Sequence, residues 1–322
     1  MKESPLFWPA HLKGNTLFVL DETLLPSKMH YIKVTSVTQA VAVIRQMKTR
    51  AFGQFLVVLN TFLLLLARKK FSSQAALVKE IEKTAQVLNK SRPTFPFSEV
   101  TSIVVGWAKS ALAQGIDIKD FVTKNIFGYL AGIRARRLAR IKEIADTIQD
   151  GNTVLTHCNV SGELAMAAAI CKEQKKKIKF FATETRPYFQ GSKLTCWELQ
   201  KSGANVTLVA DNAVGSLLSE GKIDLVITGS DRSCANGDIA NKIGTYQIAV
   251  LAKEFGVPYY ALTQPSNKIP KGENIPIEIR EEKEFLNFEG KRFSPVGVKG
   301  FYPGFDVVPH GLIKKPIAIN VN

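Results

Sequence analysis

Cys158 stands in Thr156-His157-Cys158-Asn159, directly after the short apolar run 153–157 and shortly before a helical pattern. A thiol so placed can have its pKa lowered by the helix N-terminus and serve as nucleophile, base or electrostatic group; an inert buried cysteine is the alternative. Asp231, in Gly229-Ser230-Asp231-Arg232, follows the apolar run 225–227. A carboxyl group at the end of a buried strand can be pushed up by desolvation until it donates a proton near neutral pH. A helix cap or a structural pair with Arg232 is the competing reading. Lys242, in Asn241-Lys242-Ile243-Gly244-Thr245, is predicted at a helix start. Its charge there opposes the dipole, a cost that a bound anion would offset, unless it is simply a surface lysine. Arg50 before Ala51-Phe52-Gly53, and Arg92 before Pro93-Thr94, each set a guanidinium beside backbone N–H groups that could meet phosphate oxygens.

Other chemistries lack support. Cys158, Cys171, Cys196 and Cys234 form no CxxC pair and the four histidines are scattered, so neither a disulfide framework nor a structural zinc site is expected. Cys171, Cys196 and Cys234 are expected to be inert. His157 should point away from Cys158 if strand geometry persists, so a Cys–His pair is not implied. There is no GxGxxG after the first strand of the second half, and no GxxxxGK[ST] anywhere.

The elements that must position these residues change character at Gly151. Before it, a strand pair is predicted at 15–20 and 31–34, then helices at 38–47, 55–68, 74–89, 99–114 and from 118 to about 150. Arg134, Arg136, Arg137, Arg140 and Lys142 on the last of these read as a solvated helix face. After it, short apolar runs at 153–157, 178–183, 205–210, 225–229 and 259–262 alternate with helices at 163–173, 194–202, 213–219 and 242–255. That pattern predicts an α/β fold: a Rossmann-like, mainly parallel sheet domain preceded by a smaller, mainly helical N-terminal domain. The expected domains are 1–130 and 131–322, with a helical connection at about 118–150. Ligands of such sheets bind beyond the carboxyl ends of the strands, where Cys158, the loop 183–187 and Asp231 fall.

The 322 residues carry 43 Lys+Arg against 28 Asp+Glu, a formal charge of +15 that suits phosphate substrates, nucleic acid or an acidic surface. The sequence holds no recognisable nucleic-acid module, so no nucleic-acid partner is expected. The run Lys175-Lys176-Lys177 reads as solvated surface. The apolar stretch 51–67 is broken by Gln54, Asn60 and Thr61 and reads as a buried helix rather than a membrane span. A cytoplasmic setting follows from the cysteine usage and the lack of a secretory signal.

The runs THCN, ATETRPYFQGSKLTCWEL, VADNAVGSLL, GSDRSCANGDIANKIGTY and PGFDVVP, in that order, resemble the methylthioribose-1-phosphate isomerases of methionine salvage. Their superfamily also holds ribose-1,5-bisphosphate isomerases and the alpha, beta and delta regulatory subunits of a translation-initiation exchange factor. The similarity is strong over about 151–309 and weaker back to about 16. It implies an aldose–ketose isomerase with Cys158 catalytic and Asp231 as general acid/base. It further implies that Arg50, Ala51, Phe52, Arg92, Gln190, Asn241 and Lys242 bind the sugar phosphate. No cofactor or metal is implied, and a homodimer is. Related substrates, 5-deoxyribose 1-phosphate or ribose 1,5-bisphosphate, and a non-catalytic regulatory subunit are the alternatives. This chain departs from the family where Ala51-Phe52-Gly53 replaces Gly-Ala-Pro, in the stretch 159–164, and in the tail after Pro309, where the usual final strand wording is missing.

Overall fold

The computed structural model describes residues 3–68, 70–93, 95–264 and 268–319. The chain forms two compact units, Pro5–Ala135 and Arg136–Asn322, the latter taking in Met1–Ser4.

The first unit opens with an antiparallel sheet of β1 (Ala10–Lys13), β2 (Thr16–Leu20) and β3 (Tyr31–Val34). β1 is absent from the sequence expectation: its residues alternate apolar and polar, with His11 and Lys13 exposed, but four residues are too short a run to stand out. Helices α1 (Val37–Arg45), α2 (Ala51–Arg68), α3 (Gln74–Asn89), α4 (Phe97–Ala113) and the long α5 (Ile118–Thr147) follow. The hydroxyls of Ser36 and Ser73 cap α1 and α3 by accepting from the Gln39 and Ala76 amides.

α2 is the core of this unit, with Leu56, Val57, Leu59 and Phe62 fully buried. Its length and apolarity would suffice to cross a membrane, yet 72% of the qualifying window is already buried in protein. The polar residues that interrupt it are satisfied inside. Asn60 donates to Leu56 O and accepts from Leu12 N, and Thr61 donates to Val57 O.

The second unit contains β4 (Thr153–Thr156), α6 (Glu163–Glu173), β5 (Lys179–Thr183), α7 (Cys196–Lys201), β6 (Asn205–Val209), α8 (Val214–Ser219) and β7 (Leu225–Thr228). It continues through β8 (Arg232–Ser233), β9 (Ile239–Lys242), α9 (Thr245–Glu254) and β10 (Tyr259–Thr263). The last elements are α10 (Glu282–Leu286), β11 (Asn287–Phe288), β12 (Lys291–Arg292), β13 (Phe305–Val308) and β14 (Lys315–Ala318). Six strands form a parallel sheet in the order β14-β10-β7-β4-β5-β6. The expected Rossmann-like sheet, preceded by a mainly helical region, is therefore present. A separate antiparallel sheet, β13-β9-β8, springs from the end of β7.

Five expectations need correction. Lys242 closes the strand β9, and α9 begins only at Thr245, after Gly244 turns the chain at φ 102; the helical spacing of the apolar residues downstream hid this turn. α2 starts at Ala51, so Ala51-Phe52-Gly53 is its first turn and not a loop ahead of it. Gly53 breaks nothing there. It lets the helix lie against Thr49, whose Oγ1 would stand 1.8 Å from a Cβ at this position. The tail after Pro309 does supply a final strand, β14.

The arginines of α5 are not one solvated face. Arg137 and Arg140 are 2% and 8% exposed, because both turn toward the buried carboxylate of Glu163. Lys176, in the presumed solvated run, instead donates to Ala145 O and Ile148 O and so completes the end of α5.

Candidate functional site

The strand order decides where the chemistry converges. From β4 the chain runs outward through β5 to β6, then returns to β7 on the other side of β4 and runs outward again through β10 to β14. β4 and β7 are thus neighbours that flank the switch point, with Val154 opposite Leu225 and Leu155 opposite Val226. At such a point the loops leaving two adjacent strands part in opposite directions and open a crevice at their carboxyl ends. Cys158 leaves β4 there and Asp231 leaves β7.

Cys158 sits in the left-handed region at φ 63, as do Ser161 at φ 51, Thr185 at φ 63 and Phe189 at φ 59. For a β-branched threonine that conformation is costly and must be imposed by its surroundings. The imposition is visible. Asp211 accepts from the amides of Thr185 and Arg186, each at 2.7 Å, and the Thr185 hydroxyl accepts from Cys158 N at 3.0 Å. Thr195 donates to Cys158 O at 2.5 Å, so threonine hydroxyls hold both backbone groups of the cysteine. Asn159 donates to Thr195 and to Glu198, and its own oxygen accepts from Ser161 N.

Strand geometry does not persist through His157, since β4 ends at Thr156 and Cys158 turns left-handed; the ring is placed by two contacts of its own. One ring nitrogen, Nε2, lies 2.9 Å from Ile243 O, and the other, Nδ1, lies 2.6 Å from Thr183 Oγ1. A carbonyl only accepts, so Nε2 carries the proton and Nδ1 accepts from the threonine. Burial holds the imidazole below its usual pKa, in the neutral form this arrangement uses. Through it the end of β4 grips the turn that leads from Lys242 into α9.

Asp231 donates its amide to Ala240 O at 2.9 Å and so joins β9 just before β8 begins. A Cβ on Gly229 would come 3.3 Å from Val160 and 3.9 Å from Asn241 Oδ1, which places the Cys158 turn, the Asp231 loop and Asn241 side by side. Asn241 and Lys242 are both buried. Asn241 donates to Thr245 Oγ1 at 3.0 Å. The Lys242 ammonium is 3.5 Å from the Tyr302 hydroxyl and faces the rings of Phe305, Tyr188 and Tyr302 at 4.8, 5.5 and 5.9 Å. Cation–π attraction favours an ammonium group among such rings.

Gln190 is 4% exposed and its Oε1 has no hydrogen-bond donor. The next residue is a glycine because a Cβ there would stand 1.7 Å from Thr183 O. Gly191→Ala is therefore expected to force β5 away from the 185–191 loop and to cost about 2–3 kcal/mol, an overpacking penalty against backbone that cannot yield. Urea unfolding measures it.

Cys171, Cys196 and Cys234 have thiol pKa values raised by burial, Cys196 to about 11, which suits inert thiols.

In the first unit, Arg50 and Arg92 meet at the start of α2. Arg92 Nη1 donates to Gln54 Oε1 at 3.0 Å, and Gln54 N donates to Arg50 O at 2.8 Å in the opening turn of the helix. Burial raises the pKa of the Glu22 carboxyl, which accepts from the Thr49 hydroxyl and sits in the field of Arg50. Two guanidiniums beside the amides at the start of an 18-residue helix make a setting for an anion. Thr94, adjoining Arg92-Pro93, lies outside the described residues.

Residues 54–318 match the model of the initiation factor 2 subunit family. The methylthioribose-1-phosphate isomerase of Thermosipho africanus is 38% identical, over 93% of this chain and 90% of that protein. That of Desulforudis audaxviator is 35% identical, over 97% and 92%. The chain belongs to the initiation factor 2 subunit family, among its methylthioribose-1-phosphate isomerases. Two crystal structures share its fold closely. 5-Methylthioribose 1-phosphate isomerase from Pyrococcus horikoshii superposes with a TM-score of 0.83 at 27% identity, covering 98% of this chain and 93% of that one. Translation initiation factor eIF-2B subunit delta from A. fulgidus gives 0.81 at 28% identity, covering 97% and 94%.

Several residues that hold these turns together carry little sequence signal. Glu163 binds Arg137 Nε at 2.5 Å and Arg140 Nε and Nη2 at 2.6 Å; Arg137 donates onward to Ser161 O, and Arg140 to Thr263 O. This buried cluster ties α5 and α6 to the strained turn after Cys158. Nothing in a run of arginines on a helix distinguishes the two that turn inward. Asp211, whose oxygens fix Thr185 and Arg186, is equally unmarked in the sequence.

Proposed function

We propose that this chain converts methylthioribose 1-phosphate to methylthioribulose 1-phosphate, an aldose–ketose isomerisation, with Cys158 and Asp231 at the reacting carbons. The observation that carries the residue assignment is the β4–β7 adjacency at the switch point, which sends the two loops out together. Within the sheet unit, Gln190, Asn241 and Lys242 bind the sugar phosphate. Within the helical unit, Arg50, Ala51, Phe52 and Arg92 form a phosphate-binding group.

Because O1 is esterified, the ring cannot open as a free hemiacetal does. Asp231 gives its proton to the ring oxygen as the C1–O4 bond breaks, leaving positive charge at C1 shared with the ester oxygen. A hydrogen then moves from C2 to C1, and the C2 hydroxyl returns a proton to the Asp231 carboxylate as the ketone forms. The product is an isomer with its phosphate retained. Two routes satisfy this balance. In one, C2–H passes to C1 as hydride while Cys158 stabilises the cationic carbon. In the other, a Cys158 thiolate takes the C2 proton to give an enol phosphate and returns a proton to C1. Isomerisation in deuterium oxide separates them, because only the second admits solvent deuterium at C1.

The deciding experiment is a panel of methylthioribose 1-phosphate, 5-deoxyribose 1-phosphate and ribose 1,5-bisphosphate with ketose formation followed by phosphorus NMR. Turnover of the first in clear preference is expected. Inactivity on all three would favour the regulatory-subunit reading, which the likeness to the A. fulgidus factor keeps in play. We also take the working form to be a cytoplasmic homodimer, as the family resemblance implies; sedimentation of the purified chain tests the stoichiometry.

A further inference from the structure

The second unit holds a carboxylate with one oxygen committed and one idle. Asp306, on β13, lies opposite Asn241 in the antiparallel register with β9. Its Oδ2 accepts from Gly244 N at 2.7 Å, just ahead of α9. Its Oδ1 is buried and has no donor. Gln190 Oε1 is a second buried acceptor in the same state. Asp306 shares its face of the small sheet with its register partner Asn241, whereas Lys242 pairs with Phe305 on the other face, its ammonium 4.8 Å from that ring.

Buried acceptors are nearly always satisfied, and leaving one unpaired costs about 1–3 kcal/mol. An unpaired acceptor beside Asn241, in the field of the buried Lys242, calls for a ligand that brings hydroxyl donors as well as negative charge. A sugar phosphate is such a ligand. We propose that Asp306 binds substrate, its Oδ1 accepting a hydrogen bond from a secondary hydroxyl of the sugar while Oδ2 holds the Gly244 turn. The inference rests on the isomerase reading and adds to it an acidic contact on the sugar.

The surroundings support a ligand role over a purely structural one. Burial pushes the Asp306 carboxyl up to about 6, even though the amides of Gly244 and Tyr246 and the charge of Lys242 favour the anion. The other titratable neighbours are Tyr259 on β10, whose own pKa is raised by burial and by the charge of Asp306, and neutral His157, whose ring lies against Gly244. A carboxyl group whose folded pKa lies above its unfolded value contributes stability at low pH and loses it as pH rises through about 6. At pH 8 the Asp306 anion is thus a burden on the fold. An amide in its place keeps an acceptor for Gly244 N without that burden.

The test is made on full-length chain carrying Cys158→Ser, so that binding is read without turnover. Calorimetry with methylthioribose 1-phosphate should show Asp306→Asn weakening binding about tenfold, the range for a charge-assisted hydrogen bond. Its melting temperature at pH 8 should be unchanged or higher. Independently, either the 2-deoxy or the 3-deoxy form of the substrate should bind Cys158→Ser about tenfold more weakly than the parent. That analogue should lose little more on adding Asp306→Asn. Equal binding by Asp306→Asn overturns the proposal. So does a lower melting temperature at pH 8, which would make Asp306 a structural cap only. If Asp306→Asn fails to fold, undiminished binding of both deoxy analogues by Cys158→Ser overturns it. Failure of Cys158→Ser to bind the parent, together with no turnover by the unaltered chain, would instead refute the isomerase reading itself.

Discussion

Asp231→Asn is expected to lower kcat by about 10²–10⁴-fold, the usual worth of a positioned general acid–base group, while the affinity for the sugar phosphate changes little. An asparagine has the size and shape of the aspartate, and the amide that donates to Ala240 O belongs to the backbone, so the loop geometry survives. What is lost is the ability to give a proton to the ring oxygen and take one back from the C2 hydroxyl. Cys158→Ser should fall as far. A serine keeps the same backbone hydrogen bonds, its N–H donating to Thr185 and its carbonyl accepting from Thr195, yet its hydroxyl neither ionises near neutral pH nor carries the polarisable sulfur. Steady-state kinetics with binding measured separately make the check. Full turnover by either variant refutes its assignment.

The second large effect concerns folding. Glu163→Gln should cost about 3–5 kcal/mol, because it leaves two buried guanidiniums facing a neutral amide. Glu163 is 1% exposed and Arg137 2%, so water cannot make up the loss. Burial by itself would raise the pKa of the Glu163 carboxyl. Arg140 and Arg137 outweigh it and hold the group below the usual range. A carboxylate depressed in this way contributes stability above its unfolded pKa, near 4.5, and loses it as pH falls further. The difference between unaltered and variant chains in urea should therefore narrow on acidification. Because Arg137 also donates to Ser161 O, the variant should loosen the turn that carries Cys158, and the thiol should alkylate faster. A midpoint unchanged at neutral pH would remove this cluster as a determinant of the fold.

The parallel sheet was legible because strands buried on both faces announce themselves as runs of Val, Ile, Leu and Phe between helical segments. Errors gathered where local signals are weak or contradictory. β1 and β14 are strands of only four residues, and β9 runs into α9 through just Ile243 and Gly244. The α5 arginines show why charge patterning fails at a buried cluster: the residues that turn inward have the same side chain as those that stay out. Asp306 was visible inside a recognisable motif, but an unpaired oxygen cannot be read from a string of letters.

By itself the sequence determined the class of fold, the loops that hold Cys158, Gln190 and Asp231, and the family, because each depends on local periodicity or on motifs in a fixed order. Only the tertiary structure decided that β4 and β7 are neighbours, that threonine hydroxyls hold the cysteine in a left-handed turn, and that Glu163 draws two arginines inward. Those are outcomes of strand order and burial. They are settled between residues as much as 123 positions apart, as Arg140 donating to Thr263 O shows, and no local pattern encodes contacts of that range.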